Sequence, residues 1–123
     1  MKRLKLGKNA IKEIPEEISA LKNLGDLQID RNEIETLPAG FISLQNLQSL
    51  NLGRNKITAF PQQLLSLQRL ERLQLYFNPI DSFPDEMKQM KELRDMIIDK
   101  TQYENNKQLI DLLEQQKVHI LKV

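Results

Sequence analysis

Few residues in this chain can do covalent chemistry. His119 is the single histidine and there is no cysteine, which removes thiol nucleophiles and disulfides and leaves no set of soft ligands for a transition metal. The four glycines, Gly7, Gly25, Gly40 and Gly53, form no phosphate-binding loop. The 17 aspartates and glutamates are spread along the chain, and no spacing marks two of them as a general acid and base. The sequence therefore predicts no catalytic residue, no cofactor, no metal and no enzyme. What remains is recognition chemistry. Tyr76 and Phe77 are adjacent aromatics, and Lys8, Arg31, Arg54 and Lys100 are cations at related positions. That basic set could hold an acidic partner or a phosphate group, or it could be a solvated row beside Asp30, Glu33 and Asp99.

The elements that must position these residues follow from a repeat. Asn9, Asn32, Asn55 and Asn78 recur every 23 residues, and Pro15, Pro38, Pro61 and Pro84 keep the same interval. Apolar columns agree with both, including Leu4, Leu27, Leu50, Leu73 and Met96, then Leu6, Ile29, Leu52, Leu75 and Ile98. Leu47 to Pro61 is the cleanest copy: Leu50 and Leu52 flank Asn51, so in an extended segment the leucines face inward and Asn51 faces out. Each unit then supplies one short strand, and stacked units build a parallel sheet. Proline followed by residues such as Gln62 to Leu67 suits one or two helical turns on the opposite side. The asparagines are expected to stack as a ladder that bonds the backbone of successive coils, because a buried amide without partners costs roughly 1 to 3 kcal/mol.

At these positions the chain resembles the leucine-rich repeat family, whose pattern L-x-x-L-x-L-x-x-N-x-I-x-x-L-P-x-x-I-x-x-L-x-x fits four coils and part of a fifth. The copies are similar to the 23-residue class of bacterial repeat proteins and Ras-pathway scaffolds. The resemblance implies an α/β solenoid, a right-handed superhelix bent into a horseshoe arc with one parallel sheet on its concave face. It also implies a non-enzymatic protein-binding role. Ligases of the family carry a separate domain with a reactive cysteine, which this chain lacks. One leucine-rich repeat domain over 1–123 is expected, with regular coils over 1–92 and a degenerate coil and cap over 93–123.

The outward residues of the strands then define a candidate surface. Its one conspicuous departure is Tyr76-Phe77, where every other coil has glycine or aspartate followed by lysine or arginine. Arg54, Arg72, Gln74, Ile97 and Lys100 should lie within one coil of the aromatics, and Asn51 and Arg31 line the same face further back. Tyrosine and arginine are common among interface hot spots, so these nine residues form the candidate partner-binding set. The alternative is that the aromatics only pack on their neighbours, with Asn78-Pro79 tightening the turn.

Past Pro84 the pattern changes: Thr101 stands where asparagine is expected, Tyr103 to Gln116 reads as an amphipathic helix, and Val118, Ile120 and Val123 suggest a last short strand. Together they read as a C-terminal cap. At the other end Met1 takes the register of the first leucine, so the first coil is expected to be uncapped. This is the mark of a fragment, of an edge protected by Lys2, Arg3, Lys5 and Lys8, or of a self-assembling protein joined through that edge. A net charge of +1 gives no general attraction to nucleic acid or anionic membrane, and no run is long and apolar enough to span a bilayer. A soluble protein is expected, cytoplasmic or secreted after loss of a signal not present here, with a protein as its partner.

Overall fold

The computed structural model describes residues 2–123; Met1, with its expected place in the first register, lies outside them. Six strands form one parallel sheet in chain order: β1 (Lys2–Lys5), β2 (Leu24–Gln28), β3 (Ser49–Asn51), β4 (Arg72–Gln74), β5 (Asp95–Ile98) and β6 (His119–Lys122). Partners across β2 to β5 are one 23-residue unit apart, as in Leu27 to Leu50, Leu50 to Leu73 and Leu73 to Met96. Leu50, Leu52, Leu73 and Leu75 are wholly buried behind the sheet. Alternation along each strand produces this burial, because residues two apart face the same side.

The return path of each regular coil is a single 3₁₀ turn, at Glu16–Ala20, Ala39–Ser43, Gln62–Ser66 and Asp85–Gln89. Each follows a proline, and the proline carbonyl accepts the first turn bond, for example from Leu64 N at 3.1 Å. Each turn buries one side chain, Ile18, Phe41, Leu64 or Met87. These turns are tight enough to keep the coil flat, so strands can follow at sheet spacing.

The ladder forms as expected. Asn55 Nδ2 donates to the carbonyls of Ile29, Leu52 and Gly53, and its Oδ1 accepts from Ile34 N at 3.0 Å. Asn32 and Asn78 repeat the arrangement one coil to either side. Among the described residues no buried side-chain polar atom lacks a partner. The residue before each ladder asparagine adopts a left-handed backbone: φ is 59° at Lys8, 59° at Arg31, 57° at Arg54 and 56° at Phe77.

One feature of the last coil differs from the sequence reading and two go beyond it. The ladder amide comes from Gln102, not from position 101: its Nε2 reaches Leu75 O at 2.8 Å and Asn78 O at 3.0 Å. Glutamine's extra methylene spans the one-residue offset. The expected helix over Tyr103 to Gln116 is instead two helices, α1 (Lys100–Asn105) and α2 (Lys107–Gln115). Asp99 starts α1 early through a reciprocal capping box with Gln102. Asn106 breaks the run at φ −135°, because its amide bonds Phe83 N, Asp81 O and Gln102 O. Finally, β6 pairs with β5 in a register of 24, Asp95 to His119 and Ile97 to Leu121. One added residue turns Leu121 outward and tucks Ile120 beside Met96.

At the β1 end, Leu4, Ile11, Ile14, Ile18 and Leu21 line an apolar hollow of about 280 Å³. At the other end α2 and β6 pack over the fourth turn and β5, burying Leu109, Ile110, Leu113 and Val118.

Candidate functional site

The outward rows of the sheet are set by the strand register. One row runs Asp26, Ser49, Arg72, Asp95 and His119, and the next Gln28, Asn51, Gln74, Ile97 and Leu121. Tyr76 and Phe77 follow β4, where its chain leaves the sheet toward Asn78.

Gly53 explains the position of Tyr76. The ring lies directly on the Gly53 backbone, where any Cβ would overlap it. Asn51, itself buried, holds that floor by accepting from Gly53 N at 2.9 Å. Tyr76 is consequently half-buried, whereas Phe77 is 45% exposed. The two rings meet edge to face at 5.7 Å, and Arg54 places its guanidinium 4.6 Å above the centre of the Phe77 ring. Phe77 N donates to Asp99 Oδ2 at 2.7 Å, while Asp99 Oδ1 caps α1. In earlier coils the same N–H meets a backbone carbonyl, as Arg54 N meets Tyr76 O. Asp99 thus fixes the aromatic pair to the end of the sheet.

Two hollows lie on this part of the face, the second against Phe77. One, of about 240 Å³, is lined by Arg72, Gln74, Asp95, Ile97, His119 and Leu121. The second, of about 420 Å³, lies toward α1 and includes Phe77, Pro79, Ile80, Lys100, Thr101 and Val123. Arg72 is 3.5 Å from Asp95, which His119 Nδ1 also approaches at 3.6 Å, and Arg94 is 3.8 Å from Glu71.

Of the nine residues expected at the site, Arg72, Gln74 and Ile97 line the first hollow, Phe77 and Lys100 line the second, and Tyr76 and Arg54 lie against the Phe77 ring. Arg31 lies two coils from Phe77, exposed beside Asp30 at 3.9 Å. Asn51 is only 8% exposed and serves the backbone beneath Tyr76. His119 and Leu121 join the face although the sequence reading placed the first in the cap and did not single out the second. The signal was present: with Val118 and Ile120 inward, period-two alternation turns His119 and Leu121 outward. Among the described residues no three His, Asp or Glu side chains are grouped to hold a metal ion.

The stacked register, the amide ladder and the proline-led turns have their counterpart in known proteins: the family model of the leucine-rich repeat region matches residues 1–123. The chain belongs to the leucine-rich repeat family. It is similar to the structure of a leucine-rich repeat protein of Leptospira interrogans, at 31% identity and a TM-score of 0.82 over 95% of this chain and 30% of that one. Internalin C2 of Listeria monocytogenes shares the fold at 21% identity and TM-score 0.79, over 100% of this chain and 52% of that one. The leucine-rich repeat ectodomain of the receptor kinase SOBIR1 from Arabidopsis thaliana superposes with a TM-score of 0.70 at 20% identity, over 98% of this chain and 66% of that ectodomain. The chain therefore spans about a third to a half of the two bacterial proteins. A comparison with curated sequences gave no match. Leucine-rich repeat proteins generally mediate contacts between proteins and are typically not enzymes. No helix here is long and apolar enough to cross a membrane.

Proposed function

We propose that this leucine-rich repeat arc is a non-enzymatic module that binds a protein through the outward face of its sheet, centred on Tyr76, Phe77, Arg54, Arg72 and Gln74. The observation that carries the proposal is Phe77. Its backbone position is left-handed in the four regular coils, occupied elsewhere by Lys8, Arg31 and Arg54, a conformation that glycine or asparagine adopts more easily than any larger side chain. An aromatic held there, 45% exposed and backed by Arg54 and Tyr76, costs folding energy without filling the core. The backbone angle is common to the column, but the exposed aromatic is not, and an exposed aromatic held in place beside an arginine suits an interface. Apart from Ile97 and Leu121 beside it, the remainder of the described outward face is polar or glycine.

The test pairs two variants with affinity capture and mass spectrometry. Tyr76→Ala with Phe77→Ala, and Phe77→Asn alone, should melt as cooperatively as the parent and lose the captured protein. Undiminished capture by both would move the site elsewhere.

A second reading is self-assembly through the β1 end, favoured by the apolar hollow of about 280 Å³ there. Light scattering over a hundredfold range of concentration separates the two: a constant monomer mass discards assembly.

A further inference from the structure

We propose that the partner presents an extended segment with two apolar side chains set among acidic residues, and that Leu121 of β6 is one of its anchoring contacts. This rests on the reading of the same face as the binding site. The two hollows supply the apolar seats. Ile97 and the 48% exposed Leu121 line one, and Phe77, Pro79 and Ile80 line the other. The first borders Gln74 and Ile97, and the second begins at Phe77 and Lys100 on the same two chain passes. Three residues separate them along each pass, which leaves the sheet in the turn at Phe77 and in α1 at Lys100. An extended occupant lying along the strands therefore fills both with side chains a few residues apart.

Charge selects the flanks. Most acids of this region are already matched: Asp95 by Arg72, with His119 beside it, Glu71 by Arg94, and Asp99 by the backbone N–H groups of Phe77 and Gln102, while Asp81, exposed at the far wall of the second hollow, makes no ion pair among the described residues. Two of the cations are not matched. Among the described residues Arg54 and Lys100 make no ion pair, and both are exposed at the rim of the Phe77 hollow or above its ring. Two unmatched cations against the single unmatched carboxylate of Asp81 around these apolar seats favour an acidic ligand over a basic one.

The experiment is selection of a random dodecapeptide display library on the whole chain, followed by fluorescence polarisation of the selected peptides. Enrichment of Asp or Glu around two apolar residues is expected. Binding should fall at least tenfold with Leu121→Glu and with the pair Arg54→Glu and Lys100→Glu, and should weaken as salt rises. Each variant should keep the parent's melting temperature within a few degrees; Leu121→Ser replaces the glutamate variant if it does not. Peptides that need Tyr76 and Phe77 but ignore Leu121, Arg54 and Lys100 overturn this proposal and leave the face as the site. Peptides without acidic enrichment, or no peptide at all, also overturn it, and peptides indifferent to every one of these residues overturn both readings.

Discussion

Phe77 and Asn55 show how far one residue can serve or oppose a repeat. At Phe77 the fold asks for φ near 56° and the side chain resists it. The left-handed region costs an L-residue roughly 1 to 2 kcal/mol, less for asparagine and nothing comparable for glycine. Phe77→Asn should therefore raise the melting temperature slightly, even after loss of the Arg54 contact, while abolishing binding; a clear destabilisation would show that the ring is structural. Asn55 is the opposite case. Its amide serves three carbonyls and one N–H inside the stack; leucine would take one of two donors from each of Ile29 O, Leu52 O and Gly53 O and leave the buried Ile34 N without its acceptor. We expect Asn55→Leu to cost at least about 3 kcal/mol by chemical denaturation. The equivalent change at Asn9, whose side chain is exposed and bonds only Leu6 and Gly7, should cost less than about 1 kcal/mol. Equal losses at the two would refute the ladder as a buried device.

At the scale of elements, the last coil departs from the rest because the stack needs different partners at its end. Gln102 is 1% exposed and gives the final rung, so Gln102→Leu should strip donors from Leu75 O and Asn78 O together with the capping box of α1. Hydrogen exchange should rise first in α1 and in the amides around Phe77, and a uniform rise along the chain would contradict that local role. The turn after α2 is left-handed at Lys117, φ 75°, with Val118 N returning to Leu113 O at 3.0 Å. Lys117→Gly should stabilise by about 0.5 to 1 kcal/mol, since only the side chain opposes that turn. Gly53 is equally specific: it admits the Tyr76 ring, so Gly53→Ala must push the ring off the sheet and should weaken binding more than it lowers stability.

Across the whole molecule, each coil contacts only its neighbours, so the cost of a change depends on where in the stack it falls. Ile11 and Ile57 occupy the same column, but Ile57 is wholly buried and Ile11 borders the hollow at the β1 end. Ile57→Ala should cost about 2 to 5 kcal/mol and Ile11→Ala distinctly less, measured by the same denaturant midpoint.

The repeat itself was legible from the sequence. Two interleaved registers of asparagine and proline, with apolar residues at fixed offsets, determined the strand positions, the inward faces, the ladder and the proline-led turns, because all of these depend on local periodicity. The neighbourhood of Tyr76 and Phe77 was legible for the same reason: a departure is visible only against a regular column. The tertiary structure alone decided what happens where the period fails. Gln102 replaces the missing asparagine, Asn106 breaks the helix, and a register one residue longer seats Leu121 beside Ile97. Those outcomes turn on which carbonyls and N–H groups the end of the stack leaves unpaired. It likewise decided that Asn51 lies beneath the site and that Phe77 is strained, since burial and backbone angle follow from neighbours 23 residues away that no local pattern encodes.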